Sequence, residues 1–544
     1  MKGSYIPEEM AVEGRIDEIV RHTLCLAIDA GYPEAEAVAL SSDLRDVIEF
    51  GWASLPSPTW ANFGNPRKNA LSISCNGAFV DDSISGFAET IAETMALTKA
   101  GAGTSMYVGA IRPHGSPISV GGNADGPIPF VKQIDNVMGW ITQGLRRGAC
   151  AITMDVDHAD IEKFVHIGAE DSDIQNVFTS VSVSNDFVRR LKDGDAAARG
   201  TWAKVLASRI EKGYPFIFFE DNVNDGRPEW YKDGDGDRIY ASNLCSEIAL
   251  PSSPGETFVC NLSSMNLLKY EEWKDTNAVA TMIAFMDLVQ GEYIRQTEGR
   301  YGFDRAHAFA RRHRALGLGA LGWHDLLQSR MIPFDSYEAM SLNNEIFSTI
   351  RRQADAETRS LARRFGEAPV CRGYGVRNAT LMAIAPTTSS AFILGGVSQS
   401  IEPKNSNYYV RNLHHGEFTY RNPFLTGALA AHGRNDPETW SSILRAGGSV
   451  QHLSFLTDRE REVFRTWGEI PQMAIVNQAA QRQRYVDQSQ SLNLMIPAGT
   501  PVKEINALLL AGHEKGIKTF YYQRSTNTAQ EFSRSLMSCA ACES

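Results

Sequence analysis

Asn243-Leu244-Cys245-Ser246-Glu247-Ile248-Ala249-Leu250-Pro251 sets a thiol between a carboxamide and a carboxylate, each two positions away. If the stretch is extended, a side-chain period of two puts Asn243, Cys245 and Glu247 on one face. That face offers a sulfur, a hydrogen-bonding amide and a proton acceptor together. Taken alone, the pattern more often marks a buried structural cysteine beside a solvated strand. Fifteen residues on, a second cysteine leads another polar stretch, Cys260-Asn261-Leu262-Ser263-Ser264-Met265-Asn266-Leu267.

Composition narrows the classes. The chain has 544 residues, 43% hydrophobic and 22% charged, with a net charge of −11. It is too long for one ordinary core unless that core is a large barrel. The negative balance argues against a general nucleic-acid coat, while leaving room for a local basic pocket. No apolar stretch is long enough to span a bilayer and no signal-peptide pattern opens the chain, so a cytoplasmic protein is expected. Eight cysteines in such a length are no disulfide scaffold. In a reducing compartment they are buried, metal-bound or redox-active.

Working outward, residues up to about 50 read as helical, with Ile16, Ile19, Val20, Leu24, Ala27 and Ile28 on one stripe and Cys25 near it in the core. Leu71-Ser72-Ile73-Ser74-Cys75 alternates like a strand that ends at its sulfur. Asp81-Asp82-Ser83 caps a helix carrying Ile84, Phe87, Ala88, Ile91 and Met95. A glycine-rich passage through Gly101, Gly103 and Arg112 leads to a second amphipathic helix with Phe130, Val131, Ile134, Val137, Met138 and Ile141. From Ala149 to Phe219 strands and helices alternate, which argues for parallel α/β units; Cys150 falls inside this core. Arg314 to Trp323 is glycine-rich and suited to close backbone packing. Pro386-Thr387-Thr388-Ser389-Ser390 places four hydroxyls after a strand, where they suit a phosphate or a solvated turn. Near the end stand Tyr521-Tyr522 and then Cys539-Ala540-Ala541-Cys542. A single C-x-x-C lacks the second pair of a structural zinc site, whereas a dithiol on a polar tail suits a shuttle.

In this collinear order the landmarks resemble the large subunit of class I ribonucleotide reductase, from about residue 50 to the end. The resemblance implies an α/β barrel of ten strands in two parallel five-stranded halves, with Cys245 on a central finger loop. It implies a catalytic barrel over 51–525 after a short helical region 1–50, and a redox-active tail over 526–544. Family members often begin with a nucleotide-sensing cone domain; this sequence has no room for one, implying the short form. Cys245 is then the thiyl-radical residue, Glu247 the base and Asn243 the hydrogen-bonding partner of the ribose. Cys75 and Cys260 form the reducing pair, and Cys539 and Cys542 the tail pair that thioredoxin or glutaredoxin resets. Tyr521 and Tyr522 carry the oxidising equivalent from a separate, metal-containing small subunit.

Substrate contacts are expected at Ser57, Thr59, Ser74, Gly103, Thr387, Thr388, Ser389 and Ser390. A nucleoside triphosphate effector is expected at Asp82 and Arg112, in a region near 81–146 whose helices form a homodimer. The loop Glu170 to Asn176 occupies the place of the specificity loop. No metal site, membrane or nucleic-acid partner is expected for this chain. An adenosylcobalamin-dependent reductase shares the cysteines, but Tyr521-Tyr522 argues against it. A glycyl-radical reductase lacks its motif here, and a non-catalytic nucleotide- or zinc-binding protein would not need Asn243, Cys245 and Glu247 together.

Overall fold

The computed structural model describes residues 12–65, 70–141, 148–232, 237–413, 416–497 and 499–525. Its sheet uses strands β1 (Ala53–Ser54), β2 (Cys75–Phe79), β3 (Gly103–Tyr107), β4 (Cys150–Asp155), β5 (Val177–Val183), β6 (Phe216–Phe219), β7 (Phe258–Asn266), β8 (Leu316–Leu321) and β12 (Thr519–Phe520). Outside it lie a hairpin, β9 (Tyr408–Leu413) with β10 (Gly416–Arg421), and the pair β11 (Leu494–Ile496) and β13 (Gln523–Ser525).

β2 to β6 run parallel and adjacent, one five-stranded half. Their cores, such as Ala151-Ile152 in β4 and Val181 in β5, are buried, as befits parallel strands covered on both faces. The second half starts with β7 and β8, also parallel. It continues through two extended passes, joined by Leu318 N to Leu381 O (2.7 Å) and by Ser491 N to Ile384 O (2.9 Å). Leu494 N to Tyr522 O (3.1 Å) and the parallel β11–β13 pair complete it. The halves meet at two antiparallel seams, β2 with β7 and β6 with β12. The ten-stranded barrel expected from the sequence is therefore the fold, with part of its second half held by irregular backbone.

Glycine sets how closely the second half packs. A Cβ on Gly319 would lie 2.5 Å from Ala383 O, and one on Gly317 2.6 Å from a methyl of Leu262. The close backbone packing expected there is present.

Helices α1 (Val12–Asp29) and α2 (Glu34–Glu49) form the N-terminal hairpin. Arg15 is buried and pins it to the next helix, α3 (Ser57–Asn62), by donating from Nε to Trp60 O at 2.7 Å. The core face of α1 is Ile16, Ile19, Thr23, Leu26 and Ala27. Cys25 is exposed and Ile28 is 47% exposed, so neither belongs to the core face where the sequence stripe set them. At 100° per residue each lies off the line through 16, 19, 23 and 26.

Two strand expectations also shift. Cys75 begins β2 rather than ending a strand. The carbonyls of 71 and 72 are satisfied outside any ladder, Asn62 Nδ2 donating to Leu71 O (2.8 Å) and Thr59 Oγ1 to Ser72 O (3.3 Å), and the ladder starts only where Gly103 N donates to Ser74 O (2.8 Å). Nor is 243–247 extended. Ser246 N bonds to Asn243 O (3.1 Å) in a tight turn that holds Ser246 at φ +67°.

Helices α4 (Ile84–Lys99) and α5 (Ile128–Trp140) stand beside the first half. Ser83 caps α4 by accepting from Gly86 N (3.0 Å), as the sequence indicates. A separate core of Leu425, Leu429, Trp440, Ile443 and Phe464 backs the β9–β10 hairpin. No helix among the described residues is long and apolar enough to cross a membrane.

Candidate active site

The finger turn enters the barrel and is fixed by the second half. Cys245 O accepts from Ser491 Oγ (2.6 Å), Ser246 O from Thr519 Oγ1 (2.8 Å) and Glu247 O from Ser489 N (2.9 Å). The turn thereby does what extended backbone was expected to do: Asn243, Cys245 and Glu247 line one cavity together with Cys75 and Cys260.

Cys75 and Cys260 are direct cross-strand partners in the β2–β7 seam. Such partners stand about 4.5–5.5 Å apart at Cα, inside the range a disulfide spans without backbone movement. Cys260 is 1% exposed, whereas Cys75 is half-buried. Burial pushes the Cys260 thiol well above its ordinary value, and a hydrogen bond from Gln488 Nε2 at 3.2 Å pulls the other way.

Glu247 is buried, and loss of solvent raises its carboxyl to about 7, although Ser491 Oγ donates to it at 3.2 Å. A carboxyl poised there exchanges protons readily at neutral pH. Asn243 Oδ1 accepts from Ile248 N (3.1 Å). Its Nδ2 is close enough to Glu247 to favour the carboxylate, yet it makes no hydrogen bond of good geometry. Ser263 Oγ, also on the cavity wall, is a second buried donor without a partner. Buried donors left open in this way are suited to a polar ligand.

Ser57, Ser74, Gly103 and the run Thr387 to Ser390 complete the polar wall. Thr387 sits at φ +57° ahead of the short helix Thr388–Ile393, and its Oγ1 accepts from Ser400 N (2.8 Å). Thr388 Oγ1 donates to Gln399 Oε1 (3.1 Å). Thr59 is not among the lining residues; it braces the wall from behind through Ser72 O. The sequence reading missed Ser54, Ser263 and Ser264, which also line the cavity.

Behind Cys245 stands an aromatic cluster of Tyr214, Phe216, Tyr521 and Tyr522, with Phe178 and Cys245 packed against it. The Tyr521 and Tyr522 rings are 4.3 Å apart, and Phe216 lies 4.6 Å from Tyr521. Cys150 is buried in the first half, where desolvation pushes its thiol up to about 12. Asp82 and Arg112 meet away from the cavity, Arg112 Nε donating to Asp82 Oδ2 at 2.6 Å. The loop 170–176 is tied to α5 through Asp135, which accepts from Gln175 N (2.9 Å), and does not line the cavity. Cys539 and Cys542 lie outside the described residues.

Comparison with known proteins agrees with this geometry. The family model for the ribonucleotide reductase barrel domain matches residues 73–198, 195–371 and 369–523. The chain belongs to the ribonucleotide reductase family. Its fold superposes with a TM-score of 0.90 on the class Id ribonucleotide reductase alpha subunit of Actinobacillus ureae, at 44% identity over 98% of this chain and 96% of that one. A Frog virus 3 (isolate Goorha) protein, provisionally named a ribonucleoside-diphosphate reductase large subunit, is 34% identical across 92% of this chain and 90% of its own length. The ribonucleoside-diphosphate reductase large subunit of Invertebrate iridescent virus 3 is 29% identical across 96% of this reductase and 92% of its own length.

Proposed function

We propose that this chain is the catalytic subunit of a class I ribonucleoside-diphosphate reductase, converting ribonucleoside diphosphates to 2′-deoxyribonucleotides for DNA synthesis. The observation that carries the reading is the Cys75–Cys260 register, which opens on the same cavity as Cys245, Asn243 and Glu247. Replacing an unactivated 2′-hydroxyl requires radical chemistry, and these groups supply its parts.

Cys245, as a thiyl radical, takes the 3′-hydrogen. Glu247 accepts the 3′-hydroxyl proton, and Asn243 Nδ2 holds the same hydroxyl. Water leaves from C2′, and Cys75 with Cys260 gives up two electrons and two protons to close as a disulfide. The 3′-hydrogen then returns from Cys245. Ser57, Ser74, Gly103, Thr387, Thr388, Ser389 and Ser390 hold the nucleotide, the hydroxyl run at its phosphates; Thr59 acts by positioning. Cys539 and Cys542 reopen the disulfide, with thioredoxin or glutaredoxin as the outside reductant.

The radical comes from a metal-containing small subunit. Support lies in Tyr521 and Tyr522, whose rings lie 4.3 Å apart in the aromatic cluster against which Cys245 packs. A nucleoside triphosphate effector binds at Asp82 and Arg112. The α4 face with Ile84 (82% exposed) and half-buried Phe87, Ile91 and Met95 suits a homodimer contact. The same reading puts the enzyme in the cytoplasm.

The test is reduction of CDP with a dithiol and effectors, with either a radical-bearing small subunit or adenosylcobalamin. Activity is expected only with the small subunit. Activity with adenosylcobalamin alone would overturn the class I assignment.

A further inference from the structure

Gln488 occupies a place that neither the radical step nor substrate binding uses. It is fully buried, and both ends of its amide are fixed. Oε1 accepts from Ala249 N (3.1 Å), while Nε2 donates to Leu316 O (2.9 Å), Thr380 Oγ1 (3.0 Å) and Cys260 Sγ (3.2 Å). A backbone donor at one end and a backbone carbonyl at the other settle which atom faces the sulfur. Nε2 has two hydrogens for three acceptors, so its donation can shift toward sulfur when sulfur gains charge. Burial also separates the pair: Cys75 is half-buried on the cavity wall, while Cys260 is 1% exposed.

We propose that Cys260 is the leaving group of the redox disulfide and that Gln488 supports it in that role, so that an incoming thiol forms its mixed disulfide with Cys75. The inference rests on Cys75 and Cys260 being the reducing pair. An attacking thiolate forms a new S–S bond to Cys75 as the Cys75–Cys260 bond breaks, and that electron pair stays on Cys260 Sγ. A second thiol then attacks the mixed disulfide and releases the Cys75 thiolate, the two sulfurs gaining two electrons in all.

Two effects oppose each other here. Thiol exchange favours the more acidic sulfur as leaving group, and burial makes Cys260 the less acid of an otherwise equal pair. Access decides the direction, because Cys75 is half-buried on the cavity wall and is the more open target, whereas Cys260 is 1% exposed. Gln488 makes that direction workable by supplying a donor to a thiolate that water cannot solvate.

The test uses the full chain carrying Cys539→Ser/Cys542→Ser, so that only an added thiol acts. The disulfide is made with diamide, exposed briefly to 2-mercaptoethanol, quenched with N-ethylmaleimide and mapped by peptide mass. The adduct is expected on Cys75 and the maleimide on Cys260. An adduct on Cys260 overturns the proposal. Gln488→Met in the same background should slow exchange about tenfold and move the pH profile of Cys260 alkylation to higher pH, leaving that of Cys75 in place. A merely structural loosening would instead expose Cys260 and move its profile down, and that result, or an unchanged rate, also overturns the proposal. Mapping after one turnover without reductant separates the parent reading: if Cys75 and Cys260 both remain thiols there, that reading fails and takes this inference with it.

Discussion

Replacing Glu247 by Gln should abolish reduction and at the same time stabilise the fold, by an amount that grows with pH. The carboxyl is buried and raised from 4.5 to about 7. Between those values the folded state binds more protons than the unfolded one, so stability falls as pH rises from 4.5 and levels off above 7. At about 1.4 kcal/mol per pH unit, the full loss is about 3 kcal/mol at pH 8. A glutamine keeps the volume and never ionises, so Glu247→Gln recovers most of that amount at pH 8 and only about a quarter of it at pH 5. For cooperative unfolding of a chain this long, about 3 kcal/mol corresponds to a rise of about 3 °C in Tm. Catalysis runs the other way: the ionised base is about a tenth of the population at pH 6 and about nine-tenths at pH 8, so single-turnover reduction should rise about ninefold between them. The variant should lose at least about a hundredfold. The assays are rapid-quench reduction and thermal unfolding of both proteins at pH 5, 6, 7 and 8. A flat rate profile in the parent, or a Tm difference that does not grow with pH, would refute the reasoning.

Tyr521→Phe and Tyr522→Phe keep the rings but remove the exchangeable proton; each should cut turnover by more than about a hundredfold while Tm changes little. Near-parental turnover by either variant would show that the dyad only packs. Cys539→Ser/Cys542→Ser should block turnover driven by thioredoxin and spare single turnover or reduction by a small dithiol; equal loss under both reductants would contradict a tail shuttle. Gly77→Ala sets a Cβ 2.0 Å from the Phe258 ring at the β2–β7 seam, which should cost at least about 1–3 kcal/mol and lower Tm. An unchanged Tm would mean that the seam yields more easily than its packing indicates.

Much of the site was legible because its residues come in short, ordered groups. N-x-C-x-E, the two outlying cysteines, the hydroxyl run and the tyrosine pair all sit in or beside one barrel interior. Three of the five parallel strands of the first half, β4, β5 and β6, were legible from alternating strand and helix patterns, since buried parallel strands write continuous apolar runs; β3 lay hidden in the glycine-rich passage, and β2 begins where the sequence ended a strand. Local backbone was harder. Alternation around Cys75 and Cys245 suggested extended chain, but side chains from α3 and a left-handed Ser246 satisfy the backbone by turns instead. Cys25 fell beside a stripe that a helix turns away from it. Gln488 was invisible because its partner Cys260 lies 228 residues away, brought close only by closure of the barrel. Phe178 and Phe216 looked like ordinary strand residues until β5 and β6 carried them behind Cys245, where Tyr214, just ahead of β6, joins them.

The most direct measurement of the central claim is one turnover with no external reductant. The full chain carrying Cys539→Ser/Cys542→Ser, mixed with a competent small subunit, effector and CDP, is quenched and mapped by peptide mass. The account predicts about one deoxynucleotide per active site, matched by a Cys75–Cys260 disulfide in the same amount, with Cys245 recovered as a thiol. Product formed while Cys75 and Cys260 both stay reduced would contradict it.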